Sequence, residues 1–218
     1  MQRKQTAEDL FSYEKEFLAP EQADQLFDWC EQQELRKYPF RGKLLKRSPK
    51  LEWGTDESVG TYRWGQQKES HDWVGCPFPE PLEQVRQQLG DPDINHVILI
   101  GYKDGRENHI PWHSDKQEGV ECGGAHDIVG GTNIYNVVVC DSPRRFQLAF
   151  KEDIPESKTG HAEAEQYVFD EPLEHGSMIK LTADGNRFMK HRVPKEKGWK
   201  GHRYSMVFRK IKSKSEQQ

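Results

Sequence analysis

The chain has no run of 18 or more apolar residues, so no segment is long enough to cross a bilayer as a helix. Its start, Met1-Gln-Arg-Lys-Gln5, lacks the apolar stretch of a secretion signal. An intracellular protein is therefore expected, cytoplasmic, or nuclear in a eukaryote. Cysteine is scarce: Cys30, Cys76, Cys122 and Cys140 form no C-x-x-C pair and no disulfide-like framework, as fits a reducing compartment. Cys122 and His126 lack a second ligand pair, so a loop thiol and a surface imidazole are the reading over structural zinc. Internal repeats and low-complexity linkers are absent as well.

What is present suits one folded domain. A chain of 218 residues can bury one sizeable core, and 33% hydrophobic with 11% aromatic residues is enough to pack it. A mean hydropathy of -0.98 leaves the surface polar. A single domain over 1–218, and a monomer, are the expectations.

Net charge is only -4, which on its face disfavours a nucleic-acid partner, but the charge is unevenly placed. Arg36, Lys37, Arg41, Lys43, Lys46, Arg47 and Lys50 follow one another without an acid. Acids crowd residues 152 to 174 instead. The basic run reads equally as a face for phosphate and as a solvated charge run.

Pro20 opens an expected helix whose Ala23, Leu26, Phe27 and Cys30 form an apolar stripe. A second helix is expected from about Pro81 to Leu89, with Leu82, Val85 and Leu89 on one side and Gly90 as its stop. From Ile94 the chain turns into short β-rich runs: Val97 to Tyr102, Thr132 to Cys140, Phe146 to Phe150, Gln166 to Phe169, Ser177 to Thr182 and Arg203 to Ile211. The pattern reads as a mainly β, α+β fold. A helical, loop-rich cover (1–93) precedes a double-sheet barrel (94–211), and a frayed tail (212–218) follows. Gly123-Gly124 and Gly130-Gly131 mark a mobile loop, either a gate or a long connection.

Chemistry concentrates in a few residues. On a strand, positions two apart share a face, so His113 and Asp115 can offer a nitrogen and a carboxylate oxygen to one metal. His191, in competition with His175, supplies a third ligand. Two histidines and a carboxylate leave three positions of an octahedral ion open, as non-heme Fe(II) oxygenases require. Arg203 and Arg209 are six apart, so one strand points both inward with Ser205 and Val207. A guanidinium in such a pocket can hold the far carboxylate of a dicarboxylic acid in a bidentate pair.

These residues, with Asn95-His-Val-Ile-Leu-Ile-Gly-Tyr102-Lys-Asp-Gly, His175-Gly-Ser-Met, His191-Arg-Val-Pro and Arg203-Tyr-Ser-Met-Val-Phe-Arg209-Lys-Ile, resemble the AlkB family of 2-oxoglutarate- and Fe(II)-dependent dioxygenases. The likeness is to the branch that demethylates alkylated bases, in the family's order over roughly residues 45 to 211. It implies a double-stranded β-helix (jelly-roll) core with N-terminal helices and a nucleotide-recognition lid. It implies Fe(II) on His113, Asp115 and His191, with 2-oxoglutarate and O2 as co-substrates. Arg203 would hold the distal carboxylate, Arg209 would help fix the co-substrate, and Tyr102 would donate to it. The implied reaction removes N-methyl groups from bases such as 1-methyladenine or 3-methylcytosine in DNA or RNA, releasing succinate, CO2 and formaldehyde.

The chain departs from the family at Ile100 and Ser205, where amides are usual, and at Gln117, where an acid touching the base is common. Pro49-Lys50-Leu-Glu-Trp53-Gly and Tyr62-Arg-Trp64-Gly resemble the lid. Trp64 is read as a base-stacking ring and Trp53 as packing, with Tyr62, Gln117, Arg47 and Lys50 as further substrate contacts. The departures motivate an alternative, a hydroxylase of a protein side chain or small metabolite. A non-catalytic nucleic-acid-binding module is the remaining one.

Overall fold

A computed structural model describes residues 6–37, 39–40, 43–44, 49–54, 77–115, 131–157 and 161–211. The elements in chain order are β1 (Phe11–Glu14), α1 (Pro20–Glu31), β2 (Pro39–Phe40), β3 (Lys43–Leu44), β4 (Lys50–Gly54), α2 (Glu80–Leu89), β5 (His96–Asp104) and β6 (Ile110–His113). Then come β7 (Ile134–Cys140), β8 (Arg144–Phe150), β9 (Phe169–Leu173), β10 (Ser177–Leu181), α3 (Ala183–Phe188), β11 (Met189–Val193) and β12 (Lys200–Arg209).

The strands build two antiparallel sheets, in the orders β1-β10-β7-β12-β5-β4 and β6-β11-β8-β9, with β2 and β3 as a separate hairpin. This is the jelly-roll expected from the sequence. β12 is one of the two central strands of the larger sheet, and its side chains alternate between the two faces. Tyr204, Met206 and Phe208 face the helical side and Arg203, Ser205, Val207 and Arg209 face the barrel interior.

Two apolar cores follow from that alternation. On the outer face, Val97, Leu99, Tyr204, Met206 and Phe208 meet Leu26 and Cys30 of α1 and Leu82 and Val85 of α2. Both helices lie where expected, and Gly90 ends α2 in the left-handed conformation at φ 66°. Between the sheets, Ile134, Val138 and Ile179 pack on Phe146, Leu148, Leu173 and Met189. Each large core side chain buried this way contributes on the order of 2 kcal/mol.

Several expected boundaries move. The run Gln166 to Phe169 is a strand only from Phe169 and continues to Leu173, through Pro172. β9 is the edge of its sheet, so a residue without an N–H is tolerated there. Strands β1, β2, β3 and β4 and helix α3 have no counterpart among the expected elements, while β6 and β11 are the strands on which His113 and His191 were expected. No helix among the described residues is long and apolar enough to cross a membrane. The expected glycine-rich gate, apart from Gly131, and the tail lie outside the described residues.

Candidate active site

At one end of the barrel, β6 and β11 are hydrogen-bonded neighbours that set His113 opposite His191. The two rings lie 4.2 Å apart between centroids. Asp115 is beyond the end of β6, so its side chain is aimed by the loop and not by strand alternation, which corrects the expectation. That loop is held by Asn186 of α3: the Asp115 N–H donates to Asn186 Oδ1 at 2.9 Å, and Asn186 Nδ2 donates to the Asp115 carbonyl at 2.8 Å. Thr182 caps α3 by accepting from the Gly185 N–H at 3.0 Å. Gly185 is required there, because a Cβ would lie 2.0 Å from the Leu10 carbonyl oxygen.

The donor atoms converge. Asp115 Oδ1 is 3.7 Å from His113 Nε2 and 3.9 Å from His191 Nε2, and all three ligand atoms lie within 4.8 Å of one another. Atoms about 2.1 Å from a shared ion and at right angles to it lie about 3 Å apart, so an ion closes these gaps by an ångström or so. His113 Nδ1 lies 2.9 Å from the Pro111 carbonyl, which can only accept. Its proton is therefore on Nδ1, leaving the Nε2 lone pair towards the site. Burial, helped by the neighbouring His113, pushes His191 down to about 3, so this ring is neutral and able to donate to a metal.

The other carboxylate oxygen is spoken for. Arg209 Nη1 approaches Asp115 Oδ2 at 3.5 Å, while its Nε donates to His96 Nδ1 at 3.2 Å. Burial works to raise the Asp115 carboxyl, but Arg209, His191 and His113 outweigh it and hold it below the ordinary carboxylate range. Arg209, expected on the co-substrate, lies against Asp115 Oδ2 and leaves Oδ1 facing the two imidazoles.

A cavity between the sheets joins this triad to Tyr102, Ser205 and Lys50 through apolar walls that include Ile98, Ile100, Phe146 and Val207. Arg203 is fully buried beside it, with its guanidinium 4.8 Å over the Tyr102 ring. Among the described residues none of its three nitrogens has a well-formed hydrogen bond, and neither does Ser205 Oγ; what both have nearby is the Tyr102 hydroxyl. Buried cations are normally paired. Burial raises the Tyr102 phenol, opposed by Arg203 and by Arg144, so it stays protonated as a donor. Ile100 and Ser205, two of the three departures, are direct cross-strand partners on the cavity wall.

The structure moves one expected contact indoors. Lys50 is 8% exposed, lines the cavity and pairs with Glu52 at 3.2 Å, so it is no part of an outer basic face. Burial brings its ammonium down to about 8. Trp53 is buried packing, as expected. His175 lies away from the triad: its Nδ1 accepts from the Cys140 N–H at 3.0 Å and its Nε2 meets Asp24 at 3.2 Å. Tyr62, Trp64, Gln117 and Arg47 lie outside the described residues.

Asn186, Arg144 and Arg192 were not read from the sequence. Arg144 is buried between the rings of Trp199 at 4.8 Å and Tyr102 at 5.5 Å. Arg192 lies over Trp112 at 4.5 Å and bonds the Ala162 carbonyl at 2.9 Å, as does Trp112 Nε1 at 2.8 Å. Each is the chain neighbour of a triad histidine, so the segment at 161–167 locks the backs of both strands. The available signal was the short Thr182-x-x-Gly185-Asn186 turn just before His191.

No family model matches the chain, and no curated protein matches it in sequence. Solved structures do. A Pseudomonas putida prolyl-4-hydroxylase is 12% identical with a TM-score of 0.47, covering 92% of this chain and 92% of its own. The structure of OsALKBH1 is 15% identical with a TM-score of 0.55, covering 92% of this chain and 97% of its own. The chain has the fold of OsALKBH1, which is the fold that the AlkB resemblance of its motifs implies.

Proposed function

We propose that this chain is an Fe(II)- and 2-oxoglutarate-dependent dioxygenase that removes N-methyl groups from bases of DNA or RNA. One observation carries the reading: a His-Asp-His donor set and a buried guanidinium that meets no carboxylate among the described residues, only the Tyr102 side chain, share one apolar barrel. The first fits a ferrous ion, with nitrogen and oxygen donors and one side left open. The second fits a carboxylate, because three guanidinium nitrogens with no acceptor in good geometry among the described residues are a standing desolvation cost that a bidentate anion removes. The AlkB-type motifs and the fold shared with OsALKBH1 favour a base as the substrate.

In this reading His113, Asp115 and His191 hold the metal, and Arg209 keeps Asp115 ionised and turned. Arg203 takes the far carboxylate of 2-oxoglutarate, with Tyr102 and Ser205 orienting it. Together the ion and co-substrate supply the reduction of dioxygen, two electrons coming from decarboxylation to succinate and two from a C–H bond of the N-methyl group. The isoleucine and valine walls exclude water, so the Arg203 ion pair acts in a low-dielectric space. The target base must leave its stack to reach the triad. Tyr62, Trp64, Gln117 and Arg47 are assigned to that base from their sequence positions, and Lys50 from its place on the cavity wall.

Incubation with Fe(II), 2-oxoglutarate, air and oligonucleotides bearing 1-methyladenine or 3-methylcytosine tests the reading. Succinate and unmodified base should appear in equal amounts. An iron-loaded protein that turns over no methylated DNA or RNA contradicts the substrate assignment, and one that never consumes 2-oxoglutarate contradicts the enzyme.

A further inference from the structure

The metal end of the barrel has a rim, formed where β6, β8 and β10 end and α3 leads into β11. One stretch of it is positively charged and bears an exposed ring. Lys151, at the end of β8, donates from Nζ to the Arg187 carbonyl in the last turn of α3. Lys190 follows two residues after Phe188, and it and Arg187 are close enough to act on the Lys151 charge. Phe188 is 40% exposed and is the sole exposed large hydrophobic side chain among the described residues. The Arg187 guanidinium covers it at 5.3 Å from the ring centroid.

This patch adjoins the candidate site along the chain. Asn186, two residues before Phe188, holds the Asp115 backbone, and His191 comes three residues after it. The nearest acids in the chain are Glu152 and Asp153, just after Lys151, and Asp184, three residues before Arg187 on α3. A part-exposed aromatic among three cations suits a ligand that is both flat and anionic. Single-stranded nucleic acid has both properties, since bases stack on rings while phosphates meet cations.

We infer that Lys151, Arg187, Phe188 and Lys190 form the landing surface for a single strand whose methylated base occupies the cavity. The cations take phosphates, and Phe188 stacks an unmodified neighbouring base. A paired base has both faces covered within the duplex, which is why an unpaired strand is the occupant. The inference rests on the nucleic-acid reading above and adds a surface to it.

The test is KM and kcat on a short methylated single-stranded oligonucleotide across a range of salt. Phe188→Ser should raise KM on the order of tenfold with kcat largely kept, and Phe188→Trp should restore it. Replacing Lys151, Arg187 and Lys190 together by glutamine should make the slope of log KM against log salt shallower by about 2, at roughly 0.7 per phosphate for a single strand. Thermal melting checks that these exposed changes leave the fold intact. If the parent is active and the variants match it in KM and slope, the landing surface falls alone. If the parent turns over no methylated oligonucleotide, the nucleic-acid reading falls and takes the surface with it.

Discussion

Asn186 and Asp115 grip each other through two hydrogen bonds, at 2.9 and 2.8 Å, between one side-chain amide and one peptide unit. The amide is 2% exposed, so neither bond has water as a substitute. Through this contact the helix before His191 sets where the carboxylate before it in sequence can point. Asn186→Ala should cost about 2 kcal/mol of stability and lower ferrous-ion affinity by roughly 10- to 100-fold. Asn186→Asp is more informative, because it keeps the acceptor and the shape while setting an oxygen against the Asp115 carbonyl. Urea denaturation and metal titration of both variants check this. Metal affinity equal to the parent's in both would show that the grip does not position the ligand.

Arg203 presents the opposite balance, a group that costs stability and serves binding. Its charge is buried and meets no carboxylate among the described residues. Arg203→Met should therefore leave the melting temperature of the ligand-free protein unchanged or raised, by about 1 to 4 kcal/mol of stability. The same change should raise the 2-oxoglutarate concentration needed for half-maximal turnover by about 100-fold, through loss of a charge-assisted bidentate pair. A lower melting temperature together with unchanged co-substrate demand would place the carboxylate elsewhere.

Acid should unfold the metal-free protein in a defined window. His191 at about 3 and His96 at about 4 are depressed below the ordinary histidine value of about 6.5, in both cases first by burial. The unfolded chain thus binds protons that the native one refuses, and stability is complete above that ordinary value and declines as pH drops below it. Between pH 6 and 5 unfolding takes up nearly two protons, a slope of about 2 kcal/mol per pH unit. Asp115, held below the usual carboxylate range, and Glu52, at about 2, lose their contributions at lower pH in the same direction. Denaturant titrations at pH 6 and 5 measure the slope, and His96→Gln should remove about half of it. Equal stability at both values would mean that these rings are solvated.

Much of this was legible in the sequence because it depends on period-two alternation. Arg203, Ser205, Val207 and Arg209 share a face whatever the rest of the fold does, and the observed register sets Arg203 opposite Tyr102 as the motif implied. The two helices were legible from their apolar stripes. What escaped depends on contacts distant in sequence. Lys50 sits in a basic run, and only its pairing with Ile100 on the neighbouring strand turns it inward. Arg144 precedes Arg145, and the chain alone does not say that one is buried on Trp199 and Tyr102 while the other meets Asp170 at the surface. Asp115 has the spacing of a strand residue but lies past the strand's end, where Asn186 does the work of the missing ladder.

The most direct measurement is anaerobic titration of the purified chain with Fe(II), followed by 2-oxoglutarate, read by metal content and by the visible charge-transfer band of a chelated keto acid. One tightly held ion per chain is expected, with a band that forms only when both are present. Asp115→Ala should lose both the ion and the band, while Arg203→Met should keep the ion and require more 2-oxoglutarate. Equal iron binding by the parent and Asp115→Ala would contradict the proposed metal site.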